Sequence, residues 1–463
     1  MNEFAVITEI PYREPVNAFA PLAHGNLAIL LDSAERSAQG RFSYIAADPF
    51  KVVSCSSYPW QVSVDGTARS GNAFDILAEE LRRFSWSPEA PVPFCGGAIG
   101  FLAYELGGQL ERLPAPRTTP LPTDMTFGFY DVIAAFDHGL KKAYVVSSGF
   151  PETGEARQRR AQSRATWLAG ALGVDAAPLK DYPPVFWRAE SRRGQHEARV
   201  ASAVEAIRAG DIYQANITQR FHAPLPPQAE PFALYLKLRA LSPAPFAAFL
   251  NCGGDFALLS ASPERFLKCD AAGRVETRPI KGTRPRGKTQ AEDAQNAQEL
   301  CASSKDISEN LMIVDLLRND LSRVCEPGTI EVPVLCGLES FASVHHLVST
   351  VTGQLRKDKS TVDLLKAAFP GGSVTGTPKI KAMEIIHELE PSARGPYCGA
   401  VAWLGFDGAM DSSIIIRTLV LNGGEAAAQA GGGIVADSEP ASEYEESLTK
   451  VAPLLAALGI APE

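Results

Sequence analysis

At 463 residues with 45% hydrophobic content the chain can bury a large core, and length alone suggests two or three domains. A formal net charge of -9 argues against a nucleic-acid surface, no stretch approaches eighteen apolar residues, and Met1-Asn2-Glu3-Phe4 has no basic region leading into an apolar run, so a cytoplasmic chain without a membrane segment is expected. Cys55, Cys95, Cys252, Cys269, Cys301, Cys325, Cys336 and Cys398 are scattered with no CxxC pair, which indicates neither a zinc site nor a disulfide framework.

In chain order, short strands bounded by turn residues are predicted at 26–31, 41–46, 52–54, 61–64, 126–136 and 142–147. A helix follows over 155–172, then a Pro- and Ala-rich connector from Gly173 to Pro184. These features divide the chain into an N-terminal region (1–150), a helix and linker (151–186) and a C-terminal region (187–463). Beyond the linker, helices at 196–209 and 361–368 alternate with strands at 256–260 and 414–421.

Chemistry concentrates in the C-terminal region. Lys281 lies in Pro279-Ile280-Lys281-Gly282-Thr283 with Arg278, Arg284 and Arg286 close in sequence, and nearby like charge frees a lysine amine at neutral pH. The plain alternative is a surface basic loop. Gly282-Thr283-Arg284-Pro285-Arg286-Gly287-Lys288-Thr289 also satisfies GxxxxGK[ST], but the segment before it, Arg274 to Pro279, is charged and ends in proline, where a nucleotide-binding loop needs a buried apolar strand. Further on, Asp306 and Glu309 share an i,i+3 spacing that Glu443 and Glu446 repeat, with Ser442 as N-cap and Lys450 returning to the same face. Two helices that each offer a carboxylate pair suit a hard cation such as Mg²⁺; the plain reading is two solvated helix faces.

Ser262-Pro263-Glu264-Arg265-Phe266, the Lys281 segment, Asp315 to Leu321, His346-Leu347-Val348-Ser349, Phe369 to Lys379 and Ile416-Arg417-Thr418 occur in one order that resembles the chorismate-utilising enzymes, the family of anthranilate synthase component I. The resemblance runs from about Glu197 to Leu458 with strong motifs, and more weakly back to about Leu30. It implies an α/β (α+β) sandwich of two packed β-sheets with helices outside. Because the anthranilate branch carries Ala at the position of Lys281, it further implies the branch that aminates chorismate to 4-amino-4-deoxychorismate, with anthranilate synthase component I as the nearest rival. In that reading Lys281 is the nucleophile, Glu264 the general acid and His346 a neighbour of the departing hydroxyl. Glu309 and Glu446 hold Mg²⁺, Asp306 and Glu443 hold its waters, and Arg417 and Lys450 receive the substrate carboxylates. Ser373, Tyr397, Gly431 and Gly433 contact the ring and enolpyruvyl group. Gln214 stands where water-using relatives carry a lysine base, which favours ammonia. With no glutaminase constellation apparent, ammonia is expected from a separate glutamine amidotransferase subunit.

A second resemblance lies toward the N-terminus. Ser33, Arg41 and Phe42, with Pro245 and Phe246, resemble the tryptophan pocket of the same large subunits, so bound tryptophan is expected there. A non-catalytic tryptophan-binding regulator is the third reading; intact Glu264, Lys281, Glu309, Glu446 and Lys450 count against it.

Overall fold

Val132–Asp137 shows how this chain builds its sheets: the strand is buried throughout, with Ile133 and Ala135 entering one core and Val132, Ala134 and Phe136 another. Phe42–Ala46 and Lys142–Ser147 alternate in the same way. A strand covered on both faces reads as an unbroken apolar run, and each wholly enclosed phenylalanine, Phe136 among them, contributes about 2 kcal/mol on leaving water. The computed structural model describes residues 5–37, 39–175, 180–341 and 344–460.

Among these residues two large antiparallel sheets, of twelve strands each, form the body. Phe42–Ala46, Ile29–Asp32, Phe246–Asn251, Ala257–Ser262, Thr418–Asn422, Glu425–Ile434 and Gln214–Pro224 follow one another across the first. The second runs from Ile280–Pro285 through Val344–Gln354, Arg274–Thr277, Arg265–Cys269, Met410–Ile414, Ala400–Gly405 and Gly97–Leu102 to Thr123–Tyr130 and beyond. Tyr44 and Leu258 of the first sheet share a core with Phe101, Phe127 and Trp403 of the second, so the sheets pack face to face. Helices Gly154–Ala171, Pro231–Leu241 and Pro440–Leu458 cover the outer face of the first through Leu168, Leu234 and Leu454. This is the expected sandwich. Strands from both sides of the 151–186 segment share each sheet, since Ile29–Asp32 pairs with Phe246–Asn251 and Gly97–Leu102 with Ala400–Gly405.

Two predicted strands are each two strands. The run 126–136 divides at buried Asp131, held by Arg160 at 2.8 Å and Arg164 at 3.1 Å, leaving Thr123–Tyr130 in the second sheet and Val132–Asp137 in the first. The run 414–421 divides likewise into Met410–Ile414 and Thr418–Asn422. Both are points where the chain changes sheets, each marked by a single charged residue, Asp131 or Arg417, within an otherwise apolar run. Helix Thr361–Ala368 has its predicted bounds, while Arg193–Ala209 starts three residues earlier than 196. The last helix begins at Pro440 with Glu439 at its N-cap, so Ser442 lies inside its first turn. Residues 176–179 of the predicted connector lie outside the described residues. No helix among the described residues is long and apolar enough to cross a membrane.

Candidate active site at the seam between the sheets

Two crossings between the sheets lie side by side. At one, Ser262-Pro263-Glu264 carries the chain from the first sheet to the second; at the other, Ile415-Ile416-Arg417 carries it back. They are laced together: the Ser262 hydroxyl donates to the Ile414 carbonyl at 2.6 Å, the Ile414 amide to the Glu264 carbonyl at 3.1 Å, and the Ala261 amide to the Arg417 carbonyl at 2.9 Å. Arg417 has φ 52°, a left-handed conformation that side chains other than glycine adopt rarely and at a cost of about 1–3 kcal/mol. Among the described residues no carboxylate pairs with its guanidinium, whose charge reaches His346 and Tyr397. Strain and an unpaired cation at a crossing are what an anion-binding residue presents.

Lys281, second residue of Ile280–Pro285, donates from Nζ to the Ser373 carbonyl at 3.2 Å, on the short turn Gly372–Val374. Loss of solvent lowers its pKa from the usual lysine value against the pull of Glu309 and Glu264, and Lys450 adds to the lowering. The neighbouring arginines are not the cause, contrary to the sequence expectation. Arg278 pairs with Glu339, Arg284 with Asp306 at 3.2 Å and Arg286 with Asp293 at 2.7 Å, so each is neutralised locally. The same loop holds no phosphate cradle, because the Gly287 amide donates to Asp293 and the Lys288 amide to Glu292, both at 2.8 Å.

Glu264 is buried, and burial raises its pKa above the usual carboxylate value against a hydrogen bond from Ser373 and the charges of Lys281 and Lys450. A carboxyl that resists ionisation beside an amine that resists protonation is an acid–nucleophile pair. His346 meets the Thr283 hydroxyl through Nδ1 at 2.8 Å, and burial brings its pKa down to about 4, so the ring is neutral at pH 7. Its neighbour His345 is tied to Ser340 and Asp293, a structural role. Tyr397 is buried, and its phenol is held neutral. Gln214 is 1% exposed, and neither atom of its carboxamide has a hydrogen-bond partner, an arrangement that favours a bound polar ligand.

The carboxylates approach from two helices. Ser303 caps Ser304–Ser322, accepting from the Asp306 amide at 3.3 Å, which sets Asp306 and Glu309 on one face. Glu309 is buried and its pKa is raised by that burial, with Lys281 and Lys305 opposing. On Pro440–Leu458, Glu443 accepts from the Ser438 hydroxyl at 2.7 Å and pairs with Lys305 at 3.4 Å, while Glu446 pairs with Lys450 at 2.6 Å. Lys450 also donates to the Gly431 carbonyl at 3.1 Å. The glycines of Glu425–Ile434 make the approach feasible: a Cβ on Gly432 would lie 2.9 Å from Glu443 Oε2, and one on Gly433 2.4 Å from Gln214 Nε2 and 3.4 Å from Lys281 Nζ. The donors are all carboxylate oxygens, the set a hard divalent cation takes. Among the described residues, however, no three His, Cys, Asp or Glu side chains enclose an ion by themselves, and lysines occupy two of the four carboxylates. Lys305 carries no signal in the sequence beyond its place beside Asp306; only its spatial partner Glu443, on another helix, reveals it.

The second predicted cluster also assembles. Ser33, Arg41, Phe42, Pro245 and Phe246 line one cavity of about 580 Å³. The Ser33 hydroxyl donates to the Phe42 carbonyl at 2.6 Å, Arg41 pairs with Asp137 at 2.6 Å, and the Arg265 guanidinium lies 5.0 Å from the Phe246 ring centroid. Tyr44, Trp403 and Arg265 complete the wall. Trp403 and Arg265 belong to the second sheet, and only the face-to-face packing brings them here.

Residues 27–456 match the sequence pattern of chorismate binding enzymes, and the chain belongs to that enzyme family. It is 39% identical over 455 residues to aminodeoxychorismate synthase component 1 of Salmonella typhimurium, covering 96% of each chain. It is also 40% identical over 464 residues to anthranilate synthase component 1 of Thermus thermophilus, covering 97% of this chain and 98% of the relative. The solved structure of anthranilate synthase component I from Streptococcus pneumoniae TIGR4 matches with a TM-score of 0.79 at 32% identity, over 91% of this chain and 93% of that one.

Proposed function

We propose that this enzyme aminates chorismate at ring carbon C4 to give 4-amino-4-deoxychorismate, the precursor of p-aminobenzoate in folate biosynthesis. The observation that carries the reading is Lys281, an amine with lowered pKa held against the Ser373 carbonyl beside protonatable Glu264. In this scheme the Lys281 amine bonds to C2 of chorismate, both conjugated ring double bonds shift, and the C4 hydroxyl leaves as water with the proton of Glu264. The new C–N bond leaves a proton on the lysine nitrogen, which returns to the carboxylate. Ammonia then bonds to C4, the two double bonds shift back, and Lys281 departs as its amine with the proton of Glu264, which the new C4 ammonium replaces. Arg417 and Lys450 receive the two substrate carboxylates, a role suited to a guanidinium fork and an ammonium. Ser373, Tyr397, Gly431 and Gly433 border the ring and enolpyruvyl group. Neutral His346 stands near the departing hydroxyl, and the carboxamide of Gln214 faces the ammonia side, where it can bind an amine without activating water.

Glu309 and Glu446 would hold Mg²⁺ directly, with Asp306 and Glu443 bonding its waters; bound there, the ion supplies positive charge for the ring carboxylate. Ammonia comes from glutamine through a separate amidotransferase subunit. Tryptophan binds in the cavity lined by Phe246, where apolar walls suit an aromatic ring and Arg41 and Asp411 offer opposite charges to the two ends of an amino acid. A titration by calorimetry should show one tryptophan bound per chain, and no heat above dilution at any point of the titration would end that assignment.

The rival reading, anthranilate synthase component I, is favoured by the match to the Thermus thermophilus enzyme; Lys281 separates the two. The purified chain with chorismate, Mg²⁺ and ammonium should yield 4-amino-4-deoxychorismate by mass and ultraviolet spectrum, with pyruvate only after a lyase is added. Anthranilate with immediate pyruvate would establish the rival, and no turnover at all would leave the non-catalytic regulator. Glutamine alone should be inert until the amidotransferase is supplied.

A further inference from the structure

Arg394 is 2% exposed, and a guanidinium so enclosed requires a partner for each N–H it buries. Its Nε and Nη2 meet the Glu390 carboxylate at 2.9 and 2.7 Å. Nη1 donates to the Val374 carbonyl at 2.9 Å and Nη2 to the Asn216 carbonyl at 2.6 Å, while the guanidinium lies 4.6 Å from the Tyr104 ring centroid. Glu390 in turn accepts from the Thr218 amide at 3.0 Å and the Thr218 hydroxyl at 2.9 Å. The Arg394 and Gly395 amides donate to half-buried Glu105 at 2.7 and 2.8 Å.

The segments joined here are those that carry the site. Val374 follows Ser373, whose carbonyl receives Lys281 Nζ. Asn216 lies one strand repeat from Gln214, and Tyr397 is three residues beyond Arg394 on the same connector. We propose that the Arg394–Glu390 pair is a positioning device for the reaction: it fixes the Gly372–Val374 turn, the strand Gln214–Pro224 and the connector bearing Tyr397 against one another, and so aims the Lys281 amine at the ring. A lysine at 394 keeps the charge but cannot address two carbonyls and a carboxylate through a planar fork. The inference rests on the reading of Lys281 as nucleophile.

Steady-state kinetics of Arg394→Lys, in the full chain with chorismate, Mg²⁺ and ammonium, test it. A displacement of about 1 Å in a reacting group costs roughly a hundredfold in rate. The expected result is therefore a kcat lower by about a hundredfold with a much smaller change in chorismate KM, because Arg417 and Lys450, which receive the carboxylates, are not bonded to Arg394 itself. Asp131→Asn, which breaks a buried ion pair remote from the site, should lower the melting temperature and leave kcat unchanged. Thr218→Val removes only the hydroxyl bond to Glu390 and should lower kcat several-fold; it also serves if Arg394→Lys does not fold. A folded Arg394→Lys or Thr218→Val enzyme with wild-type kcat would overturn the proposal, as would an equal kcat loss in Asp131→Asn. Full activity in Lys281→Ala would instead remove the reading on which it rests.

Discussion

Lys281→Ala should lower kcat/KM for the amination by at least about a thousandfold, a loss of about 4 kcal/mol of transition-state stabilisation, in a protein that stays folded. Chorismate and Mg²⁺ without ammonia should leave a mass adduct on the wild-type peptide containing Lys281, because the second displacement lacks its amine. The adduct should form readily at neutral pH, since burial keeps the lysine pKa below its usual value and so raises the fraction of free amine there. Lys288→Ala is the decisive comparison: it removes an equal charge from the same loop, but Lys288 is exposed. A basic patch that merely gathers substrate is damaged alike by either change, whereas a covalent role belongs to one nitrogen. Equal losses in the two variants, with no adduct in the wild-type chain, would reduce Lys281 to a surface charge.

Removing one carboxylate should separate activity from stability in the opposite direction. Glu309→Gln and Glu446→Gln should each abolish turnover and weaken Mg²⁺ binding, read by calorimetry, by at least a hundredfold, since loss of an outer partner of a ligand alone costs about 10–100-fold. For Glu309 the metal-free protein should melt at the wild-type temperature or above it. Burial raises the Glu309 pKa, so its ionised form is less favourable in the folded state than in the unfolded one. That cost is absent at low pH, where both states are protonated, and grows as pH rises past the unfolded value; a neutral amide avoids it. A stabilised, inactive variant is the behaviour of a residue kept for function. Unchanged turnover in either variant, or full activity in excess chelator, would dispose of the metal assignment.

The local motifs were readable because each carries its chemistry within a few residues: the i,i+3 acids lie on one helical face, and the SPE and Ile416-Arg417-Thr418 segments fall at the two crossings. The cause of the Lys281 shift was not readable, because the partner that neutralises Arg278 is Glu339, 61 residues away on another strand. The crossings at Asp131 and Arg417 are each marked by one charged residue in an otherwise apolar run, a signal that does not by itself separate a change of sheet from a buried ion pair or a site residue within one strand. Arg394 gave no signal at all in the sequence; its importance lies in which backbone carbonyls surround it, and any residue type can supply a carbonyl.

The paired crossings also bear on how a new copy of the molecule comes into being. Glu264 and Arg417 are joined through the Ser262–Ile414 bond, whose ends are 152 residues apart, and the last cation of the site is Lys450. Contacts of such long sequence separation require large loops to close before they return any stabilisation, so they form late. A chain still leaving the ribosome, with Lys450 not yet made, therefore lacks the complete candidate site.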